Sequence, residues 1–261
     1  MSVAKKYGAE NVILLNHDIT PIVEQGCTKK LKNDVAKHLG LEITYANHKN
    51  WEEATPVKVC VDAKAWKVGN GQILCTNRLK TDPFIKWMEE NDPNKENVYV
   101  YGFDKSEPSR VNRRSQIMGQ MGYKTIFPML WDESEIVRLE DIGIDAGAIY
   151  DKFNHSNCMG CLKAGWQHWY IVYCERRDIW EEAKRGEDEI GYAIHKDKDG
   201  PVYLEDKEEM FAKMMAAGVE PTEKVLFQSF WAQAKKKVKE YESEMSQMEM
   251  FDEGVCLDCT L

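Results

Sequence analysis

The sequence predicts an α/β fold, in which a parallel sheet carries helices on both faces and is followed by a mostly helical C-terminal part. Two observations lead to this prediction. Up to residue 150, short apolar runs rich in β-branched and aromatic residues alternate with amphipathic stretches of helical period. Beyond residue 150, apolar residues recur at helical spacing along most of the chain. We therefore expect two domains, residues 1–150 and residues 151–261.

The first part contains four strands and four helices by these criteria. The run N-V-I-L-L-N at 11–16 is apolar between its polar ends, as in a strand buried on both faces. In the segment 28–39, Leu31, Val35 and Leu39 fall on one helical face, and Gly40 ends the pattern. The remaining strands are predicted at 41–46, 97–103 and 125–128, and the remaining helices at 80–90, 110–122 and 134–142.

The second part is predicted to be helical at 165–174, 178–190, 207–217 and 223–248. Its first helix is rich in Trp and Tyr, which we interpret as core packing rather than as a ligand site. The lysine run at 235–239 is followed by three glutamates, which favours a solvated helix face.

Polar residues follow two of the predicted strands. His17 and Asp18 come directly after the first strand, and Arg110 closes the sequence E-P-S-R after the third. Ligands of open parallel sheets bind at the carboxyl ends of the strands. These residues are therefore expected on one functional edge of the sheet.

The cysteines are the most specific chemical feature of the sequence. Cys158 and Cys161 form one CxxC pair, Cys256 and Cys259 form another, and Cys75 lies alone in I-L-C-T-N-R-L-K. Zinc sites and iron–sulfur clusters both use the CxxC spacing, so metal or cluster binding is favoured over inert thiols. The other three cysteines lack this spacing and are interpreted as ordinary thiols.

The amino-acid composition limits the class of protein to which this chain can belong. The chain is 43% hydrophobic and 30% charged, which is typical of a globular protein rather than a disordered one. A net charge of −9 argues against broad coating of nucleic acid. No apolar run approaches the ~20 residues of a membrane span. A signal peptide is not recognised, so the reducing cytoplasm is the expected location.

Several motifs, taken in order, resemble one family. They are N-V-I-L-L-N-H-D-I-T, I-L-C-T-N-R-L-K-T-D-P-F, V-Y-V-Y-G-F-D, E-P-S-R-V-N-R-R and N-H-S-N-C-M-G-C-L-K-A-G. Together they resemble the phosphoadenosine phosphosulfate reductase-like group of the adenine-nucleotide alpha-hydrolase superfamily, especially its phage and bacterial members. The resemblance covers residues 4–194.

The resemblance implies a Rossmann-like sheet that binds ATP or phosphoadenosine phosphosulfate. It also implies a phosphate loop, Ser-Gly-Gly-x-Asp-Ser, after the family's first strand, where backbone amides hold the phosphates. This sequence contains no such loop. It opens in a segment that matches the end of the family's first helix, so the first strand and the loop are expected to be missing. The Glu-Cys-Gly motif of the true reductases is also absent, so reduction of phosphoadenosine phosphosulfate itself is not expected.

By resemblance, the protein acts in nucleotide-dependent sulfur transfer or adenylyl chemistry, although the missing loop argues against activity of this chain alone. Cys75, Cys158 and Cys161 would hold a [4Fe–4S] cluster, which Cys256 and Cys259 would join. A zinc ion would instead take four ligands, such as both CxxC pairs together. The nucleotide would contact His17, Asp18, Arg110, Arg113 and Arg114. A small nucleotide, RNA and DNA all stay open as substrates. The alternative is a non-catalytic binding or regulatory protein with a structural zinc.

Overall fold

The computed structural model describes residues 1–69, 71–131 and 138–252 of a mixed α/β protein. The strands are β1 (Leu14–Asn16), β2 (Ile43–Tyr45), β3 (Val98–Val100), β4 (Lys124–Ile126), β5 (His195–Lys196) and β6 (Pro201–Val202). The helices are α1 (Ser2–Tyr7), α2 (Gly26–Leu39), α3 (Pro56–Asp62), the short α4 (Leu74–Thr76), α5 (Asp82–Asn91), α6 (Pro108–Gln120), α7 (Ile149–Lys152), α8 (Trp166–Glu175), α9 (Arg177–Ile190), α10 (Glu205–Ala216) and α11 (Phe227–Asp252).

The chain divides into two compact units that are not contiguous in sequence. The first comprises Met1–Thr55 and Cys75–Gly147, and the second comprises Pro56–Leu74 and the chain from Ala148 onward. The predicted domain boundary at residue 150 falls close to the last of these junctions. Segment 56–74 belongs to the second unit, although it is surrounded in sequence by the first. No described helix has both the length and the apolar character that crossing a bilayer would require.

The first unit contains two parallel strand pairs. In one, Leu14 of β1 lies opposite Ile43 of β2. In the other, Val98 of β3 lies opposite Lys124 of β4. One helix connects the strands of each pair, α2 in the first and α6 in the second, as parallel pairing requires. The predicted strand–helix alternation and parallel pairing are confirmed.

The two pairs do not join into one sheet within the described residues. Each forms a separate two-stranded sheet, whereas a single parallel sheet was expected. The strands are also shorter than their predicted runs, at three residues each. Each strand can make ladder hydrogen bonds only where a neighbour lies beside it, and here only one edge of each strand is paired.

Sequence-local rules fix the helices of this unit. Helix α2 ends at Gly40, whose φ of 67° is left-handed. The N–H of the next residue, Leu41, donates to the carbonyl of Ala36 in the last turn of the helix. Helix α6 begins with Pro108 at its first position, where no N–H is needed. Met88 and Met118 are fully buried in the cluster that joins α5 and α6 to β3. Of the predicted helix at 134–142, residues 134–137 lie outside the described residues, and Glu140–Ile142 is a single 3-10 turn.

The second unit is mostly helical, with a core of aromatic residues. Trp169, Tyr170, Trp180 and Phe211 are all completely buried, and the Trp180 and Phe211 ring centroids are 5.6 Å apart. The interpretation of the aromatic run as core packing is confirmed. A two-stranded antiparallel hairpin, β5 with β6, was not predicted because its strands have two residues each.

Segment 56–74 docks on α9 within this second unit. A Cβ added at Gly186 would lie 2.7 Å from Val57 Cγ1 and 3.2 Å from the Trp66 ring, so only glycine allows this approach. The Trp66 indole N–H donates to the Tyr192 carbonyl at 2.6 Å. Helix α3 was not predicted from the sequence, because its run of valines resembles a strand as much as a helix.

Candidate functional site

A cleft of about 1140 Å³ separates the two strand pairs of the first unit. Its body is apolar and is lined by β1, β3, α2 and α5. Val98 and Val100 of β3 line this cleft and are 46% and 45% exposed. The polar side chains that line the cleft are called its rim here, and they include His17, Lys32, Lys80, Glu96, Tyr101 and Arg114.

His17 follows β1 and lines the cleft, where the sequence predicted a ligand residue. Its Nδ1 lies 2.6 Å from the Ala46 carbonyl oxygen. A carbonyl only accepts, so Nδ1 carries the proton and Nε2 has the lone pair. Burial lowers the pKa of His17, and the nearby positive charges of Lys80 and Lys32 act in the same direction. His17 is therefore a neutral imidazole at pH 7, available to accept a hydrogen bond.

Asp18 is held by the lysines of α2. Its carboxylate is 2.6 Å from Lys29 Nζ and 3.7 Å from Lys32 Nζ. Glu24 completes this partly buried group, 3.5 Å from Lys29 and 3.2 Å from Lys32. Two carboxylates and two ammonium groups balance each other, so Asp18 orients the lysines beside the cleft rather than adding negative charge to it.

The arginines predicted to bind phosphate lie on α6. Arg114 lines the cleft, with its guanidinium 5.1 Å from the Tyr101 ring centroid. Arg110 lies 4.3 Å from the Phe103 ring centroid and forms an ion pair with Glu107. Arg113 is exposed on the same helix. The structure thus brings Arg114 and His17 to one cleft, whereas Arg110 and Arg113 are not among the residues that line it.

Aromatic rings stack after β3 and β4. The Tyr101 and Phe103 centroids are 5.8 Å apart at an interplanar angle of 18°, and Phe127 stacks on both at 6.1 Å. The guanidinium groups of Arg110 and Arg114 lie over the Phe103 and Tyr101 rings, in the arrangement of a cation–π contact. Sequence reasoning missed this stack, as well as Lys32 and Lys80. Lys80 is the last residue of the motif C-T-N-R-L-K, so its place in that motif could have marked it as a candidate.

The cysteine pair of the second unit lies in the loop between α7 and α8. Both Cys158 and Cys161 are partly exposed, and the buried side chains of Met159 and Leu162 anchor the loop beside them. Between the cysteines, Gly160 has a left-handed φ of 72°. The chain therefore reverses inside the CxxC spacing, as a pair of ligands to one ion requires.

The other predicted cysteine ligands lie either in the first unit or outside the described residues. Cys75 belongs to the first unit, in α4, while Cys158 and Cys161 belong to the second, so a shared three-cysteine site stays a prediction. Cys256 and Cys259 lie outside the described residues.

Three further polar residues meet beside the cysteine loop. His155 Nε2 is 3.1 Å from Glu223 Oε2, and His168 Nδ1 is 3.4 Å from Glu223 Oε1. One ligand atom from each residue lies within 4.8 Å of the others, a spacing at which the group could hold a metal ion. Burial raises the pKa of Glu223, but the nearby rings of His168 and His155 and the Asn154 N–H favour the carboxylate and outweigh burial, so the pKa is lowered. The sequence showed two histidines and no reason to connect them with Glu223.

Comparison of the chain with protein-family models, with curated proteins and with solved structures gave no match.

Proposed function

We propose that this protein binds an adenine nucleotide and acts in nucleotide-dependent sulfur transfer or adenylyl chemistry, as a phosphoadenosine phosphosulfate reductase-like protein with a Rossmann-like first domain. The observation that carries the proposal is the basic rim of the cleft in the first unit. There, His17 and Tyr101 follow two parallel strands, and Lys32, Lys80 and Arg114 lie with them on one opening. Ligands of parallel α/β units bind at such strand ends.

Charge and shape both favour a nucleotide over other ligands. The whole chain carries a net charge of −9, yet Lys80 and Arg114 both line the cleft, where Glu96 is the acidic lining residue and Lys32 is paired with Asp18 and Glu24. A locally positive cleft in an acidic protein selects anions such as phosphate. Tyr101 is the ring of the aromatic group with Phe103 and Phe127 that lines the cleft, and bases stack on such rings in nucleic-acid-binding proteins.

The metal or cluster is proposed on Cys158 and Cys161, with Cys75, Cys256 and Cys259 as the further ligands. The donor set fits, because Gly160 reverses the chain between two partly exposed thiols. A [4Fe–4S] cluster held by three cysteines supplies an open iron that can carry sulfur, whereas zinc held by four would be structural.

The non-catalytic alternative is favoured by one specific observation, the absence of a glycine-rich phosphate loop from the sequence. Backbone amides and a helix N-terminus form most of such an anion site, and side-chain cations replace only its charge. On this alternative the chain is a binding or regulatory protein with zinc. Visible absorption of anaerobically purified protein separates the two, because a cluster is coloured and zinc is not.

Calorimetric titration with ATP tests the proposal. We expect weak binding, with a Kd roughly in the millimolar range, because the phosphate loop is missing. Arg114→Ala should weaken binding at least about fivefold, since a charge-assisted contact is lost. Arg113→Ala is the matched control from the same helix and should change binding much less, because Arg113 is not part of the rim. Equal effects of the two substitutions would indicate non-specific charge attraction. A titration that shows no heat of binding at any ATP concentration used would refute the proposal.

The same titration bears on catalysis. Little or no conversion of ATP to AMP and pyrophosphate is expected from this chain alone. Micromolar binding with turnover would mean that the missing loop matters less than its role in the family implies.

A further inference from the structure

The histidines beside the cysteine loop have tautomers that the backbone fixes. The Asn157 N–H donates to His155 Nδ1 at 3.3 Å, and the Cys161 N–H donates to His168 Nε2 at 3.3 Å. A ring nitrogen that accepts from a backbone N–H has no proton, so in a neutral histidine the other nitrogen carries it. The protons of both rings therefore lie on the nitrogens that face Glu223.

This assignment directs both ring protons at one carboxylate. His155 Nε2 faces Glu223 Oε2 at 3.1 Å, and His168 Nδ1 faces Glu223 Oε1 at 3.4 Å. The Asn154 N–H donates to the same carboxylate at 3.3 Å. His168 is 1% exposed, and its Nδ1 has no well-aligned partner in the described part of the chain, so the long 3.4 Å contact with Glu223 is where its proton is directed.

The same geometry argues against a metal ion between the three residues. A histidine that binds metal usually donates its other ring N–H to an acceptor. Here the other nitrogens face the backbone N–H groups of Asn157 and Cys161, which are donors. A metal ion on the nitrogens that face Glu223 would move each ring's proton to the other nitrogen, where it would point at a backbone N–H. The three ligand atoms are close enough to hold an ion, but this clash of two donors at each ring disfavours it.

We propose that His155, Glu223 and His168 are positioning residues that hold the Cys158–Cys161 turn, so that both thiolates are presented to one metal ion. The two backbone N–H groups that the network fixes belong to Asn157, directly before the first cysteine, and to the second cysteine itself. This inference rests on the proposed function, which makes Cys158 and Cys161 metal ligands.

Glu223 has an anchor of its own, which makes it the residue to test. Its N–H donates to the Lys152 carbonyl at 2.7 Å, and the Gln167 side chain donates to the carbonyls of Thr222 and Val225. The backbone at 222–225 therefore stays in place when the carboxylate is changed. Glu223→Gln keeps the shape of the side chain and removes its capacity to accept from both histidines.

The experiment uses the full chain, stripped of metal and titrated anaerobically with Co²⁺, whose thiolate charge-transfer band reports cysteine ligation. We expect Glu223→Gln to weaken Co²⁺ binding roughly 10- to 100-fold, as loss of an outer-shell partner does. Amide hydrogen exchange of Asn157 and Cys161 in the metal-free protein should become roughly fivefold faster. Glu220→Gln is the control, because Glu220 is exposed three residues earlier and has the same chemistry.

Each outcome decides a separate point. Unchanged amide exchange in Glu223→Gln would overturn the positioning role. Loss of Co²⁺ binding in Glu223→Gln, with binding retained in a Cys158→Ser, Cys161→Ser variant, would make the three residues the ligands and would also overturn it. Wild-type protein that shows no thiolate band would refute the metal site of the proposed function, while the exchange measurement would still decide the positioning role.

Discussion

At the scale of single residues, Gly160 is the position whose backbone the cysteine loop depends on most. Its φ of 72° is left-handed, and an added Cβ would lie 2.5 Å from Ile179 Cγ2. Any other residue therefore meets both backbone strain and a steric clash with α9. The turn between Cys158 and Cys161 is tied to the helical core through this one contact.

Gly160→Ala is expected to lower the free energy of unfolding by about 2–4 kcal/mol, the sum of left-handed strain and overpacking. Urea denaturation measures it. Gly165→Ser is the matched control, because it adds a Cβ in the same loop where no heavy atom lies within 4 Å, and serine is a good N-cap for α8. Equal stability of Gly160→Ala and wild type would mean that the loop does not adopt this turn.

Glu187 is a second residue whose surroundings determine its chemistry. It is 2% exposed at the end of α9 and accepts from the Ile194 N–H at 2.7 Å and the Leu204 N–H at 2.8 Å. Burial raises the pKa of Glu187 to about 7, and the two hydrogen bonds only partly offset that effect. The carboxylate links α9 to the hairpin and to the start of α10.

This raised pKa predicts a pH dependence with a definite sign. Between pH 4.5 and 7 the folded state binds the proton of Glu187 while the unfolded state has released it, so stability falls as pH rises through this window. The stability that the proton confers is complete below pH 4.5 and is lost above pH 7, with a magnitude of about 3 kcal/mol. Glu187→Gln should remove this part of the pH profile.

Urea denaturation at pH 5 and pH 8 tests the effect, with Glu189→Gln as the control, because Glu189 is exposed on the same helix. The pH difference in stability should be smaller in Glu187→Gln than in wild type and unchanged in Glu189→Gln. Identical profiles for all three proteins would show that Glu187 does not titrate in this range.

At the scale of elements, β3 has one edge that no described strand pairs with. Val98 and Val100 are nearly half exposed along it, while Tyr99 between them is buried on the other face. Within the described residues, only β4 pairs with β3. Unpaired backbone groups beside exposed apolar side chains form a surface on which other strands can pair.

We therefore expect the chain to self-associate in a concentration-dependent way, and the double substitution Val98→Lys, Val100→Lys to reduce that association. Lysine on an edge strand blocks pairing through charge repulsion. Ile117→Lys is the control, because it removes a similarly exposed apolar residue from helix α6. Light scattering over a concentration series gives the measurement, and equal reduction by both variants would point to general hydrophobic contact rather than to the edge.

At the scale of the whole molecule, the second unit draws on two distant stretches of sequence. Val57 and Trp66, from a segment enclosed in sequence by the first unit, are 3% and 6% exposed against the helices that follow residue 148. Gly186 of α9 is the point of closest approach. Docking of 56–74 therefore depends on the absence of a side chain some 120 residues later in the chain.

Gly186→Val should release this segment, because its side chain would overlap Val57 and Trp66. We expect faster tryptic cleavage after Lys64 or Lys67 and a loss of about 1–3 kcal/mol in stability. Arg185→Ala, at the exposed neighbouring position, should leave the cleavage rate unchanged. Cleavage at the wild-type rate in Gly186→Val would contradict the docking of 56–74 on α9.

The mixed α/β class, the parallel strand pairs and almost every long helix could be predicted from sequence, because each depends on signs carried within a dozen residues. Helix α2 is the clearest case, with an apolar face at 31, 35 and 39 and a left-handed glycine at its end. Gly160 and the aromatic core of α8 are similar, since a CxxC turn and a run of buried rings depend on neighbours in the chain.

Contacts between distant residues are what only the tertiary structure could decide. The separation of β1–β2 from β3–β4, the docking of 56–74, and the meeting of His155 with Glu223 all depend on residues far apart in sequence. His155 and Glu223, for example, are 68 positions apart, and no local pattern connects them. The same holds for the site. His17 was predicted from its place after a strand, whereas Lys32 reached the cleft only because α2 packs beside β1. The sequence determines which functional group each position carries, but the packing of the chain determines which of these groups come into contact.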